Sequence, residues 1–491
     1  MKPGDTQESS VSDQVAVVFT EADVELFSEA SGDRNPLHLD RAYAQRTPYG
    51  QPVVFGCLGA LACFGQLRVP SGMCVRSMAA DFLRPIFSDV HYEVKTETID
   101  GVWEARLFDG SALALLARAT IGADSGIPIR PIGDDSGVFQ HAVANVPHAA
   151  EIRRGTSTSG AYRCNGAALA ALARHWGVDD HQIATALCWS SYLVGMELPG
   201  EPALFFRLAF ELQRPATPPS SCLRYRASTT YAGFGQIKIE VALESGDSPL
   251  VSGHCWSYVR PPVPVTEDAD SSRVVSASMA GKVAVITGTS RGLGAAIARA
   301  LEARGATVYG ISRSQPEANS LRVEIGDAAN REVLRLLKQR ILNEQGRLDY
   351  LICNASPPLL PLTLEPNGAE RVAEFVKSAI GLTLFPLCEF SDLLEIGEAC
   401  VVIISSVAVE TPVKEWPHYV AAKRAVEALG TVMALQHPQL RTVVVRPDKL
   451  ITNLTNTPRG HVGAESPKLI ARRIAERLEN PPPAGKVEIQ Y

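Results

Sequence analysis

Two groups of residues in this 491-residue chain have the types and spacing to do chemistry, and they lie about 250 residues apart. The first is Ser31-Gly32-Asp33-Arg34-Asn35-Pro36-Leu37-His38-Leu39-Asp40. It sets a carboxylate, Asp33, near an imidazole, His38, with Pro36 fixing the backbone between them. Held around one water, such a pair can hydrate a conjugated thioester or reverse that step. One group takes a proton from water or from the substrate Cα, and the other delivers or orients a proton on the opposite side. The thioester oxygen gains negative charge as this happens, and a backbone N–H at a helix N-terminus would stabilise it. Gly56, where Val53-Val54-Phe55 turns into an apolar run, is placed for that. Taken alone, an Asp-x4-His pair reads more simply as a turn cap and a packed loop histidine.

The second group is Thr287-Gly288-Thr289-Ser290-Arg291-Gly292-Leu293-Gly294, followed by Ser406, Tyr419 and Lys423. Four residues along a helix put Tyr419 and Lys423 on one face. A lysine ammonium and a cofactor's charge can lower a phenol pKa toward neutrality, so that the phenol protonates a carbonyl oxygen as hydride arrives.

The elements that must position these groups are partly legible. Thr20 can N-cap a helix, with Asp23 at the capping-box position; the helix runs to about Ala30 and breaks at Ser31-Gly32. An apolar, helix-like run spans Val53–Gly72, followed by a strand-like stretch to Pro85. A similar plan recurs from Ala184 to Gly200 and on to Pro215, and strand-rich stretches follow each copy. Residues 14–262 therefore read as two copies of one unit, a helix wrapped by a curved antiparallel sheet. The stretch 262–279 combines Pro, acid and Ser and reads as a linker. Beyond it, Gly281–Ile286 is a buried strand of the kind that opens a parallel sheet, and the glycine run stands between it and an amphipathic helix.

Composition limits the function classes. The chain is 46% hydrophobic and 20% charged, with a net charge of −6. No basic excess points to nucleic acid, and no run approaches a membrane span. The first residues lack a signal pattern, so a cytoplasmic protein is expected. Ten cysteines without a CxxC pair read as reduced core residues, with no metal site.

The first string, continued by Tyr43-Ala44 and Gly50-Gln51-Pro52-Val53-Val54-x-Gly56, resembles the MaoC-like, R-specific enoyl-thioester hydratases of hot-dog fold. The resemblance is specific over residues 19–60 and looser to about 125. It implies Asp33 and His38 as the catalytic pair, with Asn35 and Gly56 as substrate and oxyanion contacts. Phe55 departs from the family's histidine before that glycine, and residues 140–262 lack the Asp/Asn-Pro/His string. The arrangement thus resembles a double hot-dog with the site in the first half, residues 14–130, and a degenerate second half, 138–262.

The second group resembles the short-chain dehydrogenase/reductase family over about residues 280–456. The resemblance implies an α/β Rossmann domain, a doubly wound parallel sheet, at 280–491 after a linker at 263–279. It implies Ser406, Tyr419 and Lys423 as catalytic residues. Gly288, Ser290, Arg291, Gly292, Leu293, Gly294, Arg313, Glu324, Ile325, Asn354, Ala355 and Thr452 would join Tyr419 and Lys423 in holding the cofactor. Arg313 and Arg291 are placed to pair with a 2′-phosphate, and no acid ends the second strand, so NADPH is expected over NADH. Residues 371–390 lack the family's fourth catalytic residue, an asparagine, and Ser378 is the nearest substitute. Asp448-Lys449 follows Pro447 where Pro-Gly is expected.

Together these imply a bifunctional 3-oxoacyl-thioester reductase and 3-hydroxyacyl-thioester dehydratase, on carrier-protein-bound chains, in a homo-oligomer such as a dimer. The alternatives are a degradative enoyl-CoA hydratase and 3-hydroxyacyl-CoA dehydrogenase, or a single reductase with a non-catalytic acyl-binding module.

Overall fold

The structure is a computed structural model, and it describes residues 14–124, 151–163, 165–215, 222–261, 276–314, 322–395, 399–456, 460 and 462–491. Expectations for residues 1–13, for the facing ends of the two halves at 125–130 and 138–150, and for the linker at 263–275 lie outside the described residues. The chain folds as two units, Met1–Pro262 and Val263–Tyr491.

The described residues of the first unit form ten strands: β1 (Gln14–Val18), β2 (Met73–Phe82), β3 (His91–Ile99), β4 (Val102–Asp109), β5 (Ala112–Ala123), β6 (Ser157–Tyr162), β7 (Ala203–Leu212), β8 (Leu223–Gly233), β9 (Gln236–Ser245) and β10 (Ser248–Val259). They form one antiparallel sheet in the order β1-β3-β4-β5-β2-β7-β10-β9-β8-β6. The order reads the same from either edge: each half runs first, third, fourth, fifth, second. The halves join where β2 pairs with β7, with Ala79 opposite Ala209. The duplication faint in sequence is thus plain in topology.

The sheet wraps the helices. They are α1 (Glu21–Ser31), the short turns α2 (Pro36–Leu39) and α3 (Arg41–Ala44), then α4 (Gly56–Phe64), α5 (Gly166–Trp176) and α6 (His181–Tyr192). Helix α4 is buried from Cys57 to Phe64, as its nearly all-apolar sequence requires. One hydrophobic core serves both halves.

Two helix limits differ from the sequence reading. Helix α4 stops at Phe64, well short of Gly72. At Gly65 a Cβ would stand 1.8 Å from the Trp176 carbonyl oxygen of the other half, a contact only glycine permits. Helix α6 starts three residues before the apolar run, because the Asp180 carboxylate accepts the Gln182 N–H at 3.0 Å.

The halves diverge between their helices. Helices α1 and α5 both end on a left-handed glycine, Gly32 (φ 74°) and Gly177 (φ 70°). From Gly32 a long loop, residues 33–55, leads to α4; from Gly177 only Val178, Asp179 and Asp180 precede α6. The second half lacks the segment that bears Asp33 and His38 in the first.

The second unit is a seven-stranded parallel sheet. Its strands are β11 (Val283–Thr287), β12 (Thr307–Ser312), β13 (Arg322–Ile325), β14 (Tyr350–Cys353), β15 (Cys400–Ile404), β16 (Arg441–Val445) and β17 (Val487–Gln490), in the order β13-β12-β11-β14-β15-β16-β17. Helices α7 (Gly292–Glu302) and α11 (Pro467–Glu479) cover one face. Helices α8 (Arg331–Glu344), α9 (Ala369–Glu395) and α10 (Pro417–Gln436) cover the other. Buried on both faces, β11 and β15 read as unbroken apolar runs rather than alternations.

Candidate functional site

The loop after Gly32 is built to present a carboxylate. The Ser28 hydroxyl donates to the Asp33 carbonyl at 2.6 Å, and the Asp33 N–H donates to the Ser31 hydroxyl at 3.1 Å. Asp33 Oδ1 accepts the Asn35 N–H at 2.9 Å, and Oδ2 accepts the Ser191 hydroxyl at 2.7 Å. Burial pushes the Asp33 carboxyl up to about 6, against the opposing effects of the Asn35 and Ser191 hydrogen bonds and the nearby Arg34 charge.

Asn35 does not aim a free amide at a substrate. Its Oδ1 caps α2 through the Leu37 N–H at 3.1 Å, and its Nδ2 donates to the Gly195 carbonyl at 3.0 Å. It ties the loop to the second half. Pro36 opens α2, and His38 follows on that turn. The His38 Nδ1 lies 2.7 Å from the Val53 carbonyl. A carbonyl only accepts, so Nδ1 carries the hydrogen and Nε2 the lone pair. Burial lowers His38 to about 4, and the Arg260 charge adds to the lowering.

Gly56 is the first residue of α4, which no side chain caps. A Cβ there would meet the Phe82 ring at 3.0 Å. Asp33, His38, Gly56, Phe82, Ser191 and Phe205 all line one cavity of about 260 Å³. Ser191, Gly195 and the start of β7 come from the half that lacks the motif. Residue-by-residue reading missed them, because Ser191 lies in an apolar helix with no spacing signal. A Cβ at Gly195 would stand 2.6 Å from Asp33 Oδ2, so a close approach demands that glycine.

The glycine loop of the second unit leaves β11 at Thr287. Gly288 (φ 77°) and Gly292 (φ 61°) take left-handed conformations. A Cβ at Gly294 would meet the Gly288 carbonyl oxygen at 2.2 Å, so that glycine allows helix and strand to close. Asn354 and Ala355 buttress the loop: both backbone N–H groups reach the Thr287 hydroxyl at 3.0 Å, and Asn354 Nδ2 donates to the Thr287 carbonyl at 3.0 Å. Helix α7 has no side-chain cap at Arg291, so its first N–H groups suit a pyrophosphate. Leu293 is buried in the core, so it meets a cofactor only through its backbone. Ser290 lies in the loop beside it. Arg313 is exposed just past β12, and Glu324 and Ile325 end the neighbouring β13, in register with Ile311 and Ser312. Thr452 lies beside Gly292. These residues fit a dinucleotide.

Ser406 lies just past β15, and its hydroxyl accepts the Ala408 N–H at 3.2 Å and hydrogen-bonds Tyr419. Tyr419 and Lys423 share a face of α10, with Lys423 Nζ 5.6 Å from the Tyr419 ring centroid. Lys423 is buried, donates to the Ile404 carbonyl at 2.8 Å, and is lowered by burial to about 8, with Glu427 opposing. Burial raises the Tyr419 phenol, with only the Ser406 bond opposing. One expectation needs correction. Ser378 is exposed on α9, so it supplies no buried substitute for the missing asparagine.

Comparison with known proteins finds a family match in each unit. Residues 282–461 match the short chain dehydrogenase family, and residues 2–100 match the MaoC like domain. The chain is 31% identical over 190 residues to the L-fucose dehydrogenase of Oryctolagus cuniculus, covering 36% of this chain and 66% of that protein. It is 31% identical over 206 residues to an uncharacterized oxidoreductase of Methylorubrum extorquens, covering 38% of this chain and 79% of that one. It is 35% identical over 85 residues to a 3-oxoacyl-[acyl-carrier-protein] reductase of Haemophilus influenzae, covering 16% and 35%. The chain belongs to the short-chain dehydrogenase family. It is a fusion, in which a MaoC-like domain precedes the dehydrogenase domain.

Proposed function

We propose that the chain is a bifunctional, NADPH-dependent 3-oxoacyl-thioester reductase and 3-hydroxyacyl-thioester dehydratase acting on carrier-protein-bound chains. The observation that carries this reading is the Asp33–His38 cavity, with its acid-base order inverted, in the same chain as Ser406, Tyr419 and Lys423. We read residues 14–130 and 138–262 as a pair of hot-dog halves and 280–491 as the reductase domain. The reductase relative of Haemophilus influenzae supports the substrate class.

Between pH of about 4 and about 6, Asp33 holds a proton and His38 is neutral. His38 Nε2 takes the α-proton of a 3-hydroxyacyl thioester. Asp33 gives its proton to the departing 3-hydroxyl, which leaves as water, and the Cα–Cβ double bond forms. The proton then passes from His38 back to Asp33 through solvent. The Gly56 N–H, at the N-terminus of α4, steadies the thioester oxygen.

In the second unit a bound dihydronicotinamide would supply hydride to the ketone. Tyr419 gives its proton to the ketone oxygen, and Ser406 holds that oxygen. Lys423 would grip the ribose. Arg313 and Arg291 would recognise a 2′-phosphate.

The test is a mass-spectrometric product assay with NADPH and a 3-oxoacyl thioester, on carrier protein and on coenzyme A. Wild type is expected to yield the enoyl product, and Asp33→Asn to stop at the 3-hydroxy stage. If both stop at the alcohol, the first unit is no dehydratase for that chain. A preference for NADH would turn the reading toward the degradative direction.

A further inference from the structure

Phe55 stands where the MaoC-like resemblance places a histidine. Its ring is fully buried and stacks on the His38 imidazole, with centroids 3.9 Å apart and planes 28° apart. The same ring meets Phe27 of α1, at 4.8 Å and 36°. Phe55 therefore touches both α1 and His38. The backbone of Phe55 also starts α4, whose first residue is Gly56. Its carbonyl accepts the Leu58 and Gly59 N–H groups at 3.0 and 3.1 Å. The Val53 carbonyl holds the imidazole edge at Nδ1, and Phe55 holds its face. An edge contact alone would leave the ring free to turn about it.

We propose that Phe55 is a positioning residue that fixes the plane of the His38 imidazole and keeps it uncharged, so that Nε2 offers its lone pair. This rests on reading His38 as the proton acceptor of the dehydration.

Two effects of an aromatic face oppose each other. The ring quadrupole attracts a cation and would favour imidazolium. A stacked hydrocarbon face also excludes water and disfavours imidazolium. Exclusion is set against the quadrupole here: burial is the largest cause of the depressed His38 value, and the stacked Phe55 ring is part of what buries the imidazole. The ionisable groups around the imidazole and its cavity are Asp33 on its own loop, Tyr49, Cys57 on α4, Arg84 just past β2, Tyr258 on β10, and Arg260 beyond β10. Burial pushes Cys57 up to about 12 and raises Tyr49, and Asp33 is itself raised, so these three lean toward their neutral forms. Arg260 disfavours a second cation. A histidine at position 55 would bring a second ionisable ring into this stack.

The test is an NMR titration of imidazole resonances in full-length, histidine-labelled protein, with His38→Gln to assign the signal. In Phe55→Leu the His38 midpoint is expected to rise by one pH unit or more, and the acid limb of dehydration kcat/KM to move the same way. Phe27→Leu removes a ring from the same stack without touching His38, and is expected to lose stability with the midpoint unmoved. If Phe55→Leu does not fold in buffer alone, the titration is repeated with the variant held folded by an excluded osmolyte, and the same rise is expected. A Phe55 variant that folds and titrates like wild type overturns the proposal. A midpoint that moves in Phe55→Leu, while wild type dehydrates no 3-hydroxyacyl thioester, would uphold the stacking role and sink the dehydratase reading.

Discussion

At the residue scale, Asp33 couples catalysis to stability. Its folded pKa, about 6, stands above the ordinary 3.8. The native state therefore binds that proton more tightly than the unfolded chain does. Stability from this proton is fully present below about 3.8 and is lost as pH rises through about 6. Two pH units correspond to about 3 kcal/mol. Asp33→Asn is therefore expected to be more stable than wild type at pH 7, by up to about 3 kcal/mol. The gain should fade toward pH 4, and urea unfolding at the two pH values would show it. Dehydration itself should weaken as pH rises above about 6, where Asp33 ionises. Ser191→Ala removes one hydrogen bond to this carboxyl, which is uncharged in its acid form; such a bond is worth about 0.5–1.5 kcal/mol. That change is expected to slow dehydration by roughly two- to ten-fold and to leave reduction untouched, as separate assays of the two steps would show. The Asp33–His38 pair was legible because a proline and a glycine punctuate it. Ser191 was not, because its partner lies 158 residues away and no local pattern announces so distant a contact.

At the element scale, glycines set how closely segments approach. Gly65 meets the backbone of Trp176, not a movable side chain. Gly65→Ala is expected to destabilise the first unit by about 3 kcal/mol or more, since overpacking alone costs about 1–3 kcal/mol where neighbours can move. A calorimetric melt would measure it. The apolar run after Val53 carries the pattern of a long buried helix, yet α4 ends at Phe64 on Gly65, where the other half packs against the backbone. The Rossmann elements were more legible, because each catalytic residue sits just past a buried strand or on a helix of fixed period. The lysine's orientation was not: the pull of the Ile404 carbonyl on Lys423 is a tertiary contact that the Tyr-x3-Lys spacing does not encode.

At the scale of the whole molecule, the two proposed chemistries fall in two compact units, each with its own core. Tyr419→Phe removes the proposed proton donor of the reductase alone. It is expected to lower ketone reduction by roughly 10²- to 10⁴-fold, the usual worth of a general acid. Dehydration of a supplied 3-hydroxyacyl thioester should continue at the wild-type rate, which a coupled and an uncoupled assay run side by side would separate. No helix among the described residues is long and apolar enough to cross a membrane.

The strand order that reads alike from both edges, with Ala79 opposite Ala209, has a consequence for how such a protein can change. In a two-fold pair of identical chains every substitution is made twice, once on each side of the axis. Here the two sides are spelled separately along one chain. Ser191 and Gly195 can serve Asp33 with no obligation to preserve a twin, and Trp176 can press against Gly65 where a mirrored cavity would need room. Fusion lets one side specialise in chemistry and the other in holding it.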